Sequence, residues 1–220
     1  MRDCSTRNNL NDLNLEDEYL FTKVMRDREI CCKLLEKILN IQIKDIIFPA
    51  SQETIDLVLN NKGVYADICL NDGKDTVCSC EIQLGKYGDS PKRSRLHQEH
   101  IDYDCVTEGQ PYGNLRKSFI IYICTFDPFQ MGRDIYTFQN ICKENPDLLL
   151  GEDATILFLN TKGASEDVDD EMKEFLAYIE NTTDSFVSGT SSQLVREIHR
   201  KVTEVKRDSL VAEEYMKLLQ

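Results

Sequence analysis

Two segments of the chain alternate apolar and polar positions with the period of a β-strand. The alternation runs through residues 63–70 and, after a turn, through residues 76–84, which are rich in β-branched, aromatic and sulfur-bearing side chains. The polar side chains that interrupt the two segments include Asp67, Ser79, Glu81 and Gln83. A carboxylate inside a strand whose other residues are typical of a protein core costs free energy unless it is paired or bound to a metal ion. We therefore expect these carboxylates to serve a function.

The length of the hairpin loop decides whether the two carboxylates lie together. A two-residue loop would put Asp67 and Glu81 on opposite faces of the sheet. A five-residue loop over residues 71–75 would instead set Asp67 opposite Ser79 and diagonal to Glu81. We predict the five-residue loop, because only that register lets the two carboxylates share one cation.

The remaining apolar positions predict further helices and strands. Helical spacing predicts one helix from residue 15 with Asn14 as its N-cap, a second helix capped by Asp27, and others over residues 91–108, 171–180 and 192–219. Apolar runs predict strands over residues 43–48, 118–125, 135–138 and 154–159. The run over residues 118–125 is almost continuously apolar, which indicates a central strand, and residues 135–138 are predicted to form an edge strand.

Burial and mobility are predicted from the same pattern. The helix over residues 91–108 is expected to bury Leu96, Ile101 and Cys105, and the last helix is expected to bury Leu210 among other residues. The polar residues 1–14 are predicted to be a flexible leader, and the Ser- and Thr-rich residues 181–191 a flexible joint.

The composition of the chain is that of a globular protein without membrane-spanning segments. The 220 residues are 41% hydrophobic and 30% charged, which is typical of one globular domain, and nine cysteines without a secretory signal predict reduced thiols. No apolar run is long enough to span a membrane, so we expect a cytoplasmic protein. The net charge of −13 argues against a nucleic-acid-binding function of the whole surface but leaves room for a local basic groove.

Asp67 and Glu81, together with Gln83, form the sharpest candidate site. Two carboxylates on adjacent strands supply the hard oxygen ligands that Mg²⁺ prefers, and the ion can bridge phosphate oxygens and activate a water molecule. The alternative is that both carboxylates are solvated residues of an edge hairpin. The basic residues that follow either contact phosphates or form an ordinary solvated helix start; they are Lys86, Lys92, Arg93 and Arg95.

Two other motifs have a simpler interpretation. His97 and His100 have the i,i+3 spacing of metal ligands on a helix, but no third ligand is in sight, so we expect histidines on the surface or facing a partner. Residues 126–129 (Phe-Asp-Pro-Phe) are predicted to be a packed turn with two aromatic anchors rather than a site.

The order of several short motifs resembles the Rpn family of recombination-promoting nucleases and putative transposases, in the PD-(D/E)XK nuclease superfamily. The motifs span nearly the whole chain and are residues 18–23, 63–70, 81–83, 91–95, 101–102, 118–129, 136–138, 159–163, 175–178 and 214–216. Each motif alone is weak, and their order is what makes the resemblance specific.

The resemblance implies an α/β fold in which a PD-(D/E)XK nuclease-like mixed β-sheet is flanked by helices. Residues 15–163 would form this core, and residues 164–220 a C-terminal helical segment that packs on the core or forms a dimer interface. The implied activity is Mg²⁺- or Mn²⁺-dependent hydrolysis of DNA. The implied metal ligands are Asp67, Glu81, the backbone carbonyl of Ile82 and, on the first helix, Glu18.

One motif position departs from the superfamily pattern. The superfamily usually has there a Lys that orients the attacking water, whereas this chain has Gln83, as the Rpn family itself tends to show. A glutamine can position a water but supplies no positive charge. Lys86, Lys92 or Arg95 would have to supply that charge in space, while Arg93 and Arg95 are expected to grip phosphate.

Two rival interpretations belong to other functional classes. The first is a nuclease-like fold with weak or no activity that acts as a binding or inhibitory module, for example a phage or mobile-element counter-defence protein. In that case the acidic surface would imitate nucleic acid and bind a protein partner. The second is a homodimer whose interface is the long C-terminal helix.

Overall fold

The computed structural model describes residues 9–48, 67–70, 76–84, 90–105 and 111–219. For residues 67–70, 90, 100, 104 and 105 it describes the backbone alone. Both the predicted five-residue loop over residues 71–75 and Lys86 lie outside the described residues.

A mixed β-sheet forms the centre of the molecule. Its strands are β1 (Ile46–Ile47), β2 (Asp67–Leu70), β3 (Thr76–Gln83), β4 (Ser118–Cys124), β5 (Ile135–Phe138) and β6 (Ala154–Asn160). The strand order is β1-β2-β3-β4-β6-β5, with β3, β4 and β6 parallel and the outer pairs antiparallel. The sheet confirms an α/β architecture, and it confirms the central position of β4 and the edge position of β5.

The described helices pack on both faces of this sheet. They are α1 (Glu18–Met25), α2 (Arg28–Leu39), α3 (Ser90–Cys105), α4 (Asp170–Ile179), α5 (Asp184–Gly189), α6 (Gln193–Arg207) and α7 (Ser209–Leu218). The larger core cluster joins α1, α2, α4 and α6 to Cys78, Cys80 and Ile82 of β3. The smaller cluster lies on the opposite face, where Ile101 of α3 packs with Val77 and Tyr122. Helix α3 therefore covers the face of β3 that carries the polar side chains.

The helix starts follow the side chains that cap them. Asp27 caps α2 as predicted, accepting hydrogen bonds from the backbone N–H groups of Glu29 and Ile30. The prediction of Asn14 as the cap of α1 is wrong, because Asp17 caps that helix. Asn14 instead donates to the carbonyl of Glu180, 2.8 Å away, which ties the N-terminal segment to the end of α4.

The two segments predicted to be flexible contain buried residues where the structure describes them. Leu10 and Leu13, within the predicted leader, are buried in the larger core cluster. Residues 181–191 contain α5, and Thr182 and Thr190 are buried there with their hydroxyls hydrogen-bonded. Both segments are polar in sequence, yet some of their residues are buried against the core. Their composition alone therefore did not predict this burial.

The predicted C-terminal helix is two helices. Asp208 leaves the helical conformation between α6 and α7, and its carboxylate accepts a hydrogen bond of 2.8 Å from the backbone N–H of Leu210. An aspartate that caps the following helix competes with helix continuation, which explains the break. Leu210, predicted to be buried, is 69% exposed because the break changes the phase of the helical face.

The packed turn over residues 126–129 is confirmed. The Asp127 carboxylate accepts hydrogen bonds from three backbone N–H groups and from the hydroxyl of Tyr136, 2.7 Å away. Burial raises the pKa of Asp127, but these hydrogen bonds outweigh it and lower the pKa below its usual value. Phe129 packs edge-on against Phe158, so the turn anchors the aromatic layer beside Tyr122.

The cysteines that the structure describes are free thiols, in agreement with the predicted reduced state. Five of them lie in α2, β3 and β4, namely Cys31, Cys32, Cys78, Cys80 and Cys124, and the sixth is Cys142. Burial raises the pKa of the Cys31 and Cys124 thiols to about 12, so they are packing groups rather than nucleophiles.

Candidate functional site

The backbone register brings the two carboxylate positions to one face of the sheet. Asp67 of β2 pairs with Ser79 of β3, and Leu70 pairs with Thr76, which leaves five residues between the paired ends. Side chains at every second position of a strand share a face, so Asp67 lies on the face that carries Ser79 and Glu81. The register predicted from the loop length is confirmed.

Strand β3 is buried on both faces, including its polar positions. Ser79 is 1% exposed, Glu81 6% and Gln83 5%. β3 lies between β2 and β4 in the sheet, and α3 covers its polar face. The alternative interpretation of Glu81 as a solvated residue of an edge hairpin is therefore wrong.

Glu81 lies at the centre of a buried polar network. Its Oε2 accepts a hydrogen bond of 2.8 Å from the side-chain amide of Gln83 and a charged hydrogen bond of 3.2 Å from Arg93 of α3. Arg93 also donates to Oε1 of Gln83 over 3.0 Å, so the guanidinium bridges both side chains. The carboxylate is compensated by a positive charge and by directed donors, as a buried charge requires.

His97 occupies the other side of the carboxylate. Its Nε2 lies 3.3 Å from Oε1 of Glu81, and its Nδ1 lies 3.5 Å from the hydroxyl of Tyr122 on β4. Tyr122 in turn stacks on Phe158 with ring centroids 4.9 Å apart. The network therefore runs from β3 through α3 to the aromatic layer of β4 and β6.

The phase of α3 differs from the predicted one. His97 is 1% exposed whereas Leu96 is 56% exposed, so the expectation of a surface histidine and of a buried Leu96 is wrong. The buried positions Ser94, His97 and Ile101 have i, i+3, i+7 spacing. The helix turns its polar residues inward because a buried carboxylate on β3 has to be paired there. Cys105 and His100 are described by their backbone alone.

Among the other predicted site residues that the structure describes, Arg93 joins Glu81, whereas Glu18, Lys92 and Arg95 do not. Glu18 is exposed at the start of α1, which packs on the opposite face of the sheet. Lys92 and Arg95 are exposed on α3, and neither is among the side chains that bond to Glu81 or Gln83. Arg93, predicted to grip phosphate, contacts Glu81 and Gln83 instead. The side chain of Ile82 packs in the larger core cluster, and its carbonyl as a ligand remains a prediction.

The donor chemistry on this face fits a hard divalent cation. Glu81 supplies a carboxylate, Gln83 an amide oxygen, and the register places Asp67 beside Ser79. The hydroxyl of Ser79 is buried and has no hydrogen-bond partner within the described part of the chain. The residues described here contain no group of three His, Cys, Asp or Glu side chains that could hold a metal ion. A complete ligand set therefore depends on the Asp67 side chain.

The sequence pattern alone missed the partners of Glu81 on α3. Arg93 and His97 are four residues apart, so they lie on one face of the helix. One signal could have identified these two partners. It is a basic residue and a histidine at i,i+4 spacing, in the helix that follows a strand with a buried Glu-x-Gln. Tyr122 carried no such signal, because its position is set by the parallel pairing of β3 with β4.

None of the described helices is both long and apolar enough to cross a membrane. Comparison of the chain with family models, with curated proteins and with solved structures found no match.

Proposed function

We propose that the protein is a metal-dependent DNA endonuclease of the Rpn-like, PD-(D/E)XK type. The observation that carries the proposal is that the positions of Asp67 on β2 and Glu81 on β3 share one face of the sheet. Gln83 follows Glu81 by two residues on the same strand. A buried carboxylate on a central strand is expensive to keep, and a role in cation binding gives a reason for it. The mixed sheet flanked by helices is compatible with that superfamily.

Five of the residues predicted from the sequence have a role in this proposal. Asp67 and Glu81 would hold Mg²⁺ or Mn²⁺, which when bound supplies an activated water and neutralises charge that develops on the phosphate. Gln83 would orient the attacking water through its amide. The exposed Lys92 and Arg95 would contact the DNA backbone on the outer side of α3.

The test is cleavage of supercoiled plasmid DNA in Mg²⁺ by the wild type and by Asp67→Ala and Glu81→Gln. We expect both substitutions to abolish cleavage while circular dichroism shows the folded protein. Glu213→Gln is the matched control, because Glu213 is an exposed carboxylate on α7 that pairs only with Lys217 among the described residues. Cleavage that persists in both site variants would refute the assignment.

One observation favours a second candidate, a nuclease-like fold that acts as a binding or inhibitory module. Arg93 donates a charged hydrogen bond to Glu81, so the carboxylate is compensated without a metal ion. The net charge of −13 suits an acidic surface that occupies a basic groove of a protein partner. Titration with Mn²⁺ discriminates the two, since absent binding together with a tight protein complex would favour the module.

A further inference from the structure

We propose that Arg93 supplies, from helix α3, the positive charge that the motif position occupied by Gln83 lacks. The inference rests on the proposed nuclease function and assigns a positioning residue to it. A lysine at position 83 would carry its own charge, whereas Gln83 carries none. Arg93 replaces that charge by bonding simultaneously to Glu81 and Gln83.

The guanidinium of Arg93 bonds to Glu81 and Gln83 at the same time. The two terminal nitrogens of Arg93 are shared between the two side chains, with Nη1 3.0 Å from Oε1 of Gln83 and Nη2 3.2 Å from Oε2 of Glu81. The planar guanidinium of arginine forms such a fork, and a lysine ammonium does not. The contact fixes the rotamers of Glu81 and Gln83 and places one positive charge beside both.

Arg93 is more accessible to solvent than the carboxylate that it contacts. The side chain of Glu81 is 5% exposed, but that of Arg93 is 28% exposed. Arg93 is thus the more exposed partner of the pair, on the side from which a phosphate would approach. A charge held between a buried carboxylate and solvent stabilises developing negative charge better than one on a mobile surface chain, because it needs little reorganisation.

The other basic residues near the start of α3 do not reach the network. Lys92 and Arg95 are exposed on the outer side of the helix, while Arg93 turns inward with the buried face that contains Ser94 and His97. Among the Lys and Arg side chains that the structure describes, Arg93 is the one that bonds to Glu81 and Gln83. The position that compensates for Gln83 is therefore Arg93 and not Lys92 or Arg95.

The experiment compares wild type with Arg93→Met and Arg93→Lys, measuring kcat and KM for plasmid cleavage and the affinity for Mn²⁺ by calorimetry without DNA. We expect Arg93→Met to lower kcat on the order of 100-fold with little change in KM. Arg93→Lys should recover part of the loss, because it restores charge without the fork. The Mn²⁺ affinity of Arg93→Met should rise about tenfold, since a cation that competes for Glu81 has been removed.

Arg133→Met is the matched control, because Arg133 forms an arginine–carboxylate pair with Asp167 outside this network. It should leave kcat, KM and Mn²⁺ affinity unchanged, and thermal melting checks that every variant is folded. If Arg93→Met fails to fold, Arg93→Lys alone decides: wild-type kcat and wild-type Mn²⁺ affinity in that variant would overturn the inference.

The outcomes separate the two proposals. A wild type that does not cleave DNA refutes the proposed function, and the role of Arg93 falls with it. A wild type that cleaves, together with an Arg93→Met variant of equal kcat or unchanged Mn²⁺ affinity, overturns the inference alone. A fall that appears only in KM would make Arg93 a DNA-gripping residue and would also overturn it.

Discussion

Removal of Arg93 should destabilise the fold more than removal of its partner Glu81. Arg93→Met leaves a carboxylate that is 5% exposed without its closest positive charge, although Gln83 and His97 still contact it. Breaking a fully buried ion pair costs roughly 3–5 kcal/mol. Because the Arg93 side chain is 28% exposed and Glu81 keeps other contacts, we expect a loss of about 2.5 kcal/mol.

Glu81→Gln should cost less, about 1 kcal/mol, because Arg93 still reaches solvent and Gln83. The double variant lacks both charges and should be more stable than the sum of the single losses predicts, by about 1.5 kcal/mol. Each single variant already loses the charge pair, so the double variant loses it only once. The double variant also lacks the unpaired buried carboxylate that Arg93→Met leaves behind.

The assay is urea unfolding followed by circular dichroism, since the chain contains no tryptophan. The loss for Arg93→Met corresponds to a fall in Tm of roughly 8 °C for a domain of this size. Arg133→Met should cost only about 0.5 kcal/mol, because the Arg133 side chain is 53% exposed in its pair with Asp167. A loss for Arg93→Met no larger than that of this control would refute the reasoning that the Glu81 pair is buried and structurally required.

Two further predictions concern regions outside the site. Gly163→Ala should destabilise the protein by about 2 kcal/mol in urea unfolding, because a Cβ at Gly163 would lie 2.7 Å from the backbone nitrogen of Asp134. Gly113→Ala is its control, since nothing lies within 4 Å of the added carbon, and equal losses would contradict the steric argument. Hydrogen bonds, first from Thr190 and then from the following serines, lower the pKa of Glu174 to about 2. A carboxyl whose folded-state pKa is depressed stabilises the fold above its usual pKa, and this stabilisation is lost as the pH falls from about 4.5 to 2. Glu174→Gln should therefore flatten that part of the pH–stability curve, and a curve identical to that of the wild type would argue against these bonds.

The sequence by itself determined the sheet and the pairing of its polar hairpin. Alternation with a period of two fixed which residues of β3 face the core, and the requirement that the two carboxylates share one cation selected the register that places Asp67 opposite Ser79. The continuous apolar run of β4 and the Asp27 cap of α2 are equally local signals. Such features follow from backbone geometry and near neighbours, so a single sequence is enough to predict them.

The orientation of α3 was decided only by the tertiary structure. Its strongest apolar candidate, Leu96, faces outward, and the polar residues Arg93 and His97 face inward, against the usual amphipathic rule. The buried carboxylate of Glu81 is the reason, because leaving a charge unpaired in the core costs more than exposing one leucine. That balance involves residues twelve or more positions apart, and periodicity within one helix carries no information about it.

The same limit explains the burial of Leu10 and Leu13 in the N-terminal segment. Leu10 and Leu13 are isolated apolar residues in a polar stretch, and they are buried because the helical layer of α1 and α6 offers a surface for them. Lys206 of α6 donates to the carbonyls of Asn11 and Leu13 and so satisfies backbone groups that this packing removes from water. Local composition predicts the conformation that a segment prefers in isolation. Its burial depends on whether the rest of the fold exposes an apolar surface on which the segment can pack.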